Sequence, residues 1–337
     1  MKTLVTGGAG FIGSHLVDRL LSEGHEVIVL DDFSSGKISN LKSACTSSKL
    51  NVIDADITKQ QSICPYFKNI DWVFHLAGKA DIVPSIESPV KYHHANVEGT
   101  ISVLESARTH KVKRFIYTAS SSCYGISKQI PTTENAPLIP EYPYALTKYI
   151  GEQYAIHWSR VYHMPVISLR LFNVYGPRSR STVGNYGAVF GVFLAQKLSG
   201  KPFTIVGDGS QTRDFTFVSD VVDAFMKSIQ SSLNRDIFNV GSGNTYSINY
   251  LVKLLGGTSV HIPKRPGEPD STYADISKIK KHLHWNPVIP FEQGVNIMID
   301  NIDQWKDAPI WDESSIQKAT QNWFNQLSKY TNTTGNK

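Results

Sequence analysis

The sequence predicts an α/β fold: a doubly wound parallel sheet joined to a smaller, discontinuous α/β domain in the C-terminal half. Three observations carry this expectation. Strand-like and helix-like segments alternate from residue 1 to about 172, the pattern of parallel strands linked by crossover helices. A glycine-rich turn, Gly7-Gly8-Ala9-Gly10-Phe11-Ile12-Gly13, joins the first apolar strand to the first helix. Beyond residue 172 the alternation becomes irregular, with Pro, Gly and Arg clustered at Gly176-Pro177-Arg178 and Gly207-Asp208-Gly209. The expected boundaries are 1–172 with 214–243 for the sheet domain, 173–213 with 244–310 for the smaller domain, and 311–337 for a C-terminal helix and tail.

Taken in order, residues 2–6 form a short apolar strand and 14–21 continue as a helix after the glycine turn. Glycines there allow a tight turn and close approach of backbone to phosphate, and the helix N-terminus supplies N–H donors and a positive dipole end. The spacing is G-x-x-G-x-x-G. The second strand, 26–30, ends at Asp31-Asp32, and Asp31 stands 18 residues after Gly13, near the distance expected of an acid that bonds an adenosine ribose. An acid at that place repels a 2′-phosphate, so NAD is expected over NADP, with Lys37 nearby able to soften the preference. Two further strand ends fit the same sheet: 50–53 leading to Asp54-Ala55-Asp56-Ile57, and 72–76 leading to Ala77-Gly78-Lys79, whose small residues let a flat cofactor lie against the backbone. His75 reads as a core histidine.

Residues 90–111 read as one long helix with small or apolar Ala95, Val97, Ile101, Val103, Leu104 and Ala107, and 144–162 as another. Residues 166–172 close the first half as a strand. In the second half, 214–218 is a short extended piece before a helix over 219–229, and 237–243 is a strand with a glycine exit. Residues 313–325 form an amphipathic helix carrying Ile316, Ala319, Trp323 and Phe324; the polar tail 331–337 is expected to be disordered.

Composition excludes several classes. The longest apolar runs fall well short of the ~20 residues of a membrane helix, and the N-terminal residues lack the apolar stretch of a signal sequence. Net charge is +5 from 34 basic and 29 acidic residues, too mild and too dispersed for a nucleic-acid surface but suited to an anionic small molecule. Three cysteines, Cys45, Cys64 and Cys123, with no C-x-x-C, argue against a disulfide framework or a zinc site, so no metal is expected, and a reducing compartment, the cytoplasm, follows.

The chemistry is concentrated in Tyr144-Ala145-Leu146-Thr147-Lys148 and in Ser120, 24 residues upstream of the tyrosine. A tyrosine and a lysine four apart on a helix share a face. The ammonium then favours the phenolate of a group whose ordinary pKa is about 10. Ser120 follows the apolar run Phe115-Ile116-Tyr117 and would stand at the carboxyl end of that strand, where ligands of open α/β sheets bind. Together the three can move a proton on and off a hydroxyl group.

This set resembles the extended short-chain dehydrogenase/reductase family, with its NAD-binding Rossmann domain. The glycine loop, Asp31, Asp56-Ile57, Ala77-Gly78, Ser120 and Tyr144/Lys148 fall in that family's order and spacing. The resemblance continues through Arg170-Leu171-Phe172-Asn173-Val174-Tyr175-Gly176-Pro177-Arg178, Gly207 to Phe215, and Arg265-Pro266-Gly267-Glu268 before Ala274-Asp275. These later motifs look like those of nucleotide-diphosphate-sugar epimerases and dehydratases. The cofactor set implied is Gly7, Gly10, Phe11, Ile12, Gly13, Asp31, Lys37, Asp56, Ile57, Ala77, Gly78, Tyr144, Lys148 and Phe172. On the substrate side the resemblance implies that Asn173, Arg213 and Arg265 grip a diphosphate and that Glu268 holds the uridine ribose, with Ser122 and Thr272 facing the sugar. Guanidinium forks match a diphosphate. Relatives pair the two long helices, so a homodimer is implied.

The residues after Ser120 decide the reaction type. The family's 4,6-dehydratases carry Asp-Glu after the strand-end hydroxyl, and its decarboxylases carry a Glu two places on; here both positions, Ser121 and Ser122, are serine. The cysteine of the 3,5-epimerase pattern would stand at Ser122. Cys123 is one place later, on the other face if the chain stays extended, and reads as a packing residue. The pattern resembles a 4-epimerase: Tyr144 takes the O4 proton as C4 is oxidised by bound NAD, Ser120 relays it, Lys148 lowers the tyrosine pKa, and the keto sugar turns its other face before reduction. Thr272 stands where a bulky tyrosine resembles enzymes limited to glucose and galactose. Its small side chain implies that UDP-GlcNAc/UDP-GalNAc are accepted at least as well as UDP-Glc/UDP-Gal. Arg180 could instead meet a uronate carboxylate, which keeps UDP-glucuronate in contention. A 4-ketoreductase or dehydrogenase with net redox shares every catalytic residue, and a binding protein that has lost catalysis is the remaining alternative.

Overall fold

The computed structural model describes residues 1–179 and 188–331. Arg180 and the tail beyond 331 lie outside them. Seven strands make one parallel sheet: β1 Lys2–Thr6, β2 Glu26–Asp31, β3 Leu50–Asp54, β4 Trp72–His75, β5 Arg114–Ser120, β6 Val166–Leu171 and β7 Arg235–Val240. Their spatial order is β7-β6-β5-β4-β1-β2-β3. The chain leaves β1 toward β2 and β3, then crosses back to β4. This reversal opens a crevice at the carboxyl ends of β1 and β4, where Thr6 pairs with both Leu30 and His75, the position at which such sheets bind ligands.

Alternation within each strand builds two cores, because successive side chains point to opposite faces. Val5, Val29, Phe74, Ile116 and Leu169 face the helices Phe11–Ser22 and Val218–Gln230. Leu4, Ile28, Val73, Phe115 and Tyr117 face the helices Gly99–Thr109 and Pro143–Tyr162. Each such side chain, when fully buried, contributes roughly 1.5–3 kcal/mol.

A third core, centred on Tyr175, Phe190, Phe215, Phe217 and Phe291, holds the irregular second half together. Tyr175 stacks on Phe190 at 4.7 Å between ring centres. Short two-stranded pieces frame it: Phe203–Val206 with Ser259–Ile262, Thr212–Arg213 with Tyr246–Ser247, and Val174–Tyr175 with Thr216–Phe217.

Three expectations need correction. The helix expected over 90–111 is interrupted: Pro89–His93 and Gly99–Thr109 flank a π-helical turn at His94–Glu98. The extended piece expected over 214–218 forms strand only at Thr216–Phe217: the Asp214 N–H is bonded to the Thr272 hydroxyl rather than to a neighbouring strand, and Val218 already begins the next helix. The chain after Ser120 does not stay extended; Ser121–Tyr124 is a 3₁₀ turn, so strand alternation cannot decide where Cys123 points. Cys123 is nonetheless buried, at 2% exposure.

Candidate active site

The glycine loop is sterically closed to side chains. A Cβ on Gly7, which has φ of +70°, would lie 2.7 Å from the Ala77 nitrogen; one on Gly13 would lie 2.2 Å from the Gly7 carbonyl oxygen. Gly10 begins the helix Phe11–Ser22 with no side-chain cap and no acid in the first turn, leaving N–H donors and the positive helix end unquenched. Phe11 and Ile12 open that helix and pack on the third core. Asp31, the last residue of β2, is 6% exposed. Its Oδ2 accepts from the Ala9 N–H at 2.9 Å and its Oδ1 from the Phe33 N–H at 3.0 Å. Burial raises its pKa from the ordinary value, opposed by those two bonds. Each oxygen keeps lone-pair capacity for a ribose hydroxyl. The Lys37 side chain is exposed on the same loop, where its backbone N–H donates to the Ala9 carbonyl at 3.0 Å. Asp56 caps its own turn, accepting from the Thr58 N–H at 2.9 Å and the Thr58 hydroxyl at 2.7 Å. Ile57 is buried under Gly99.

The exit of β4 is pinned by Asn96, which sequence reasoning missed. Asn96 sits in the π-helical turn and is 2% exposed. Its Oδ1 accepts from the Lys79 N–H at 2.7 Å, and its Nδ2 donates to the Lys79 carbonyl at 3.0 Å and the Thr147 hydroxyl at 3.0 Å. Gly78 is required beside it, since a Cβ there would lie 2.8 Å from Asn96 Oδ1. One side chain thus ties the Ala77–Lys79 loop to the helix that carries Tyr144. A buried asparagine in an otherwise small and apolar helix face was the available signal. His75 holds the adjoining strand end: Nδ1 is 2.7 Å from the Thr6 hydroxyl and Nε2 is 2.9 Å from the Thr100 hydroxyl. Burial first, then the Lys148 charge, pushes its pKa down to about 3, so it is neutral at physiological pH and serves the core.

Ser120 is the final residue of β5 and half-buried. Its Oγ accepts from the Ser122 hydroxyl at 2.8 Å and the Ser122 N–H at 3.2 Å. Pro143 begins the helix Pro143–Tyr162 at a position where its missing N–H costs nothing. The next residue, Tyr144, stacks parallel to Tyr142 at 6.5 Å and meets Tyr92 edge-on at 6.4 Å. Lys148, four residues on, is 8% exposed, with Nζ 4.7 Å from the centre of the Tyr117 ring. Burial pulls its pKa down to about 8, with the Glu152 carboxylate opposing the shift. Glu152, another four on, is locked to Arg170 of β6 by bonds of 2.6 and 3.0 Å and accepts from Ser168 at 2.9 Å. The sequence placed Arg170 in a motif without showing this pair. Phe172, just past β6, is 2% exposed and packs against Tyr124.

The residues expected on the substrate side converge from three segments. Arg213 Nη2 donates to Glu268 Oε1 at 2.9 Å, and Arg265 Nη1 lies 3.7 Å from Glu268 Oε2. The Thr272 hydroxyl donates to Asn173 Oδ1 at 2.8 Å and accepts from the Asp214 N–H at 3.1 Å. Asp214 anchors the group, accepting from the Ala274 N–H at 3.0 Å and the Ser242 N–H at 2.6 Å. Residues separated by up to 99 positions therefore meet in one cluster, and Glu268 lies between the two arginines rather than apart from them.

An uncapped helix end at a glycine turn, a strand-end acid and a Ser/Tyr/Lys set define a nucleotide-dependent oxidoreductase-type site. The chain belongs to the NAD dependent epimerase/dehydratase family, which it matches over residues 3–241. It is 38% identical over 308 residues to the UDP-glucose 4-epimerase of Mycolicibacterium smegmatis, covering 88% of this chain and 96% of that one. Its fold matches the UDP-N-acetylglucosamine 4-epimerase of Methanobrevibacter ruminantium, solved with UDP-N-acetylmuramic acid, with a TM-score of 0.85 and 31% identity over 90% of this chain and 98% of the other. It also matches the UDP-glucuronic acid 4-epimerase of Bacillus cereus, solved with UDP-glucuronic acid and NAD, with a TM-score of 0.84 and 33% identity over 90% and 99%. NAD is the family's cofactor, and the cradle fits it: the space that Cβ atoms on Gly7 and Gly13 would fill is backbone-lined, and the Asp31 carboxylate closes the neighbouring strand against the Ala9 N–H. Among the described residues no cluster of histidine, cysteine and carboxylate ligands could hold a metal, and no helix is long and apolar enough to cross a membrane.

Proposed function

We propose that this protein is a UDP-sugar 4-epimerase that inverts C4 through reversible oxidation, accepting UDP-GlcNAc/UDP-GalNAc at least as well as UDP-Glc/UDP-Gal. The observation that carries this reading is the turn after β5. Ser120 ends the strand with a hydroxyl, and Ser121 and Ser122 put hydroxyls at the two positions where water loss or decarboxylation requires a carboxylate. NAD, when bound, supplies the two-electron oxidation at C4. The chain supplies the rest. Tyr144, as phenolate, takes the O4 proton; Ser120 bonds O4 and passes the proton on; Lys148 sets the electrostatic field that favours the phenolate and holds the nicotinamide ribose. Ser122 orients the Ser120 hydroxyl. Arg213, Arg265 and Asn173 keep the diphosphate anchored while the sugar turns over, and Glu268 exchanges part of its pairing with the arginines for the uridine ribose. Gly7, Gly10 and Gly13 seat the pyrophosphate and Asp31 the adenosine ribose.

The division of labour follows the lobes: 1–172 with 214–243 binds the cofactor and 173–213 with 244–310 binds the nucleotide sugar, with the helix Glu313–Thr331 following them. Leu146, Val161 and Tyr162 are exposed along the catalytic helix and Val90 on the neighbouring one, which supports pairing of these helices in a homodimer. The sparse cysteines support a reducing compartment, the cytoplasm, as the enzyme's location. The small Thr272 side chain, tied to Asn173, supports the N-acetylated substrates; a uronate substrate is the second reading, supported by the likeness to a UDP-glucuronic acid 4-epimerase.

The test is to incubate the purified protein with a panel of UDP-, GDP-, CDP- and dTDP-sugars and follow C4 configuration by NMR. Inversion at C4 of UDP-hexoses without added reductant supports the reading. A requirement for stoichiometric NAD(P)H points instead to net reduction.

A further inference from the structure

The helix Glu313–Thr331 lies outside the span matched by the family, 3–241, and the relatives described above leave about a tenth of this chain without a counterpart. Its buried stripe is Ile316, Thr320 and Trp323, spaced at helical intervals; Ile316 and Trp323 are 2% and 3% exposed. Ile316 and Ala319 join the third core. Trp323 does something else. Its Nε1 donates to the Pro266 carbonyl at 2.7 Å, and the Arg265 guanidinium lies over its ring at 5.5 Å. A Leu327 methyl lies 3.6 Å from where a Cβ on Gly267 would be. Arg265, Pro266 and Gly267 therefore rest on this helix. On its other side Asn322 Nδ2 donates to Glu87 Oε1 at 3.4 Å, in the helix Ile82–Glu87 that follows the β4 exit loop. Beyond that helix comes Tyr92, which meets the Tyr144 ring and donates to the Ala80 carbonyl.

We propose that the C-terminal helix is part of the substrate grip, with Trp323 as the positioning residue for Arg265. The ring fixes the plane of the guanidinium, and the Pro266 bond fixes the turn that carries it. Asn322 ties that assembly to the cofactor lobe, so one helix sets the distance between the diphosphate clamp and the chemistry. A loose Arg265 would have to be ordered by each incoming nucleotide, which weakens binding without altering the reacting groups. The inference rests on the proposed role of Arg265 in holding a nucleotide diphosphate.

The experiment measures UDP binding by calorimetry and UDP-sugar kinetics for the wild type, Trp323→Ala, Trp323→Phe and Asn322→Ala, with thermal unfolding of each. The expected result is that Trp323→Ala weakens UDP binding and raises KM about tenfold or more, while kcat stays within about threefold. Trp323→Phe, which keeps a ring face for the guanidinium, recovers a large part of the loss. Asn322→Ala, on the exposed side of the helix, folds normally and raises KM by a smaller factor. UDP binding unchanged in both a folded Trp323 variant and Asn322→Ala overturns the inference and leaves the functional reading standing. Absence of UDP binding by the wild type overturns both.

Discussion

The Lys148 ammonium stands 4.7 Å from the centre of the Tyr117 ring, enclosed between β5 and the catalytic helix. A ring face stabilises a cation, but less than water does, and burial brings the lysine to about 8 from its ordinary 10.5. Between those values the unfolded chain binds a proton that the folded chain does not. Stability therefore rises with pH across that window, and at neutrality the buried charge costs on the order of 3 kcal/mol. Above pH about 8 the ammonium is lost, and with it the field proposed to favour the Tyr144 phenolate. The expectation is an alkaline decline in kcat/KM centred near 8 and an Nζ resonance of Lys148 that titrates there by NMR. An ammonium that holds its proton to pH 10 would contradict this.

Glycine 13 offers no room for a methyl group, with the Gly7 carbonyl 2.2 Å from an added Cβ. Gly13→Ala must push the first helix from the glycine turn, at a cost of about 1–3 kcal/mol from overpacking. Reduced bound NAD together with a lower Tm is expected; a variant that copurifies with full NAD would show that the loop is more yielding than its geometry.

The Glu152–Arg170 pair is buried at 1% and 2% side-chain exposure. Removing one partner strands the other, so Arg170→Met is expected to destabilise by about 3–5 kcal/mol, read by urea unfolding. The Tyr124 hydroxyl, which accepts from Arg170 Nη1 at 2.8 Å and donates to Asn239 Oδ1 at 2.7 Å, would lose a donor too. A loss below 1 kcal/mol would mean that the network is not coupled to the fold.

If Thr272 faces the sugar as proposed, bulk at that position narrows the pocket. Thr272→Tyr is expected to lower kcat/KM for UDP-GlcNAc at least tenfold while sparing UDP-Glc, measured with both substrates. Equal losses for the two would place the N-acetyl group elsewhere.

Cys123 and Cys45 should separate in reactivity. Burial pushes the Cys123 thiol up to about 12, whereas Cys45 is exposed, and the thiolate is the reacting form. Iodoacetamide at pH 8 is expected to label Cys45 in the native protein and Cys123 only after unfolding, as read by peptide mass spectrometry.

What the sequence made legible was local. The glycine turn, the strand-end Asp31 and Ser120, and the one-turn spacing of Tyr144 and Lys148 are set by contacts within or next to one element, and they lie where strand and helix periodicity put them. What it hid was what depends on distant partners. Asn96 reads as one polar residue in a helix until the fold brings Lys79 and Thr147 to it. Arg170 reads as a motif arginine until Glu152 arrives from the facing helix. The turn at Ser121–Tyr124 defeated an argument from strand alternation. The partnership of Trp323 with Arg265 joins segments 58 residues apart that no local pattern links.

The central claim is that Tyr144, Ser120 and Lys148 support a reversible oxidation at C4 and nothing further. Turnover of UDP-hexose deuterated at C4, in ordinary water and with no cofactor added, tests it most directly. Both epimers are expected to keep the deuterium at C4, with no nicotinamide consumed. Loss of deuterium to solvent, or product that forms only with stoichiometric NAD(P)H, would contradict it.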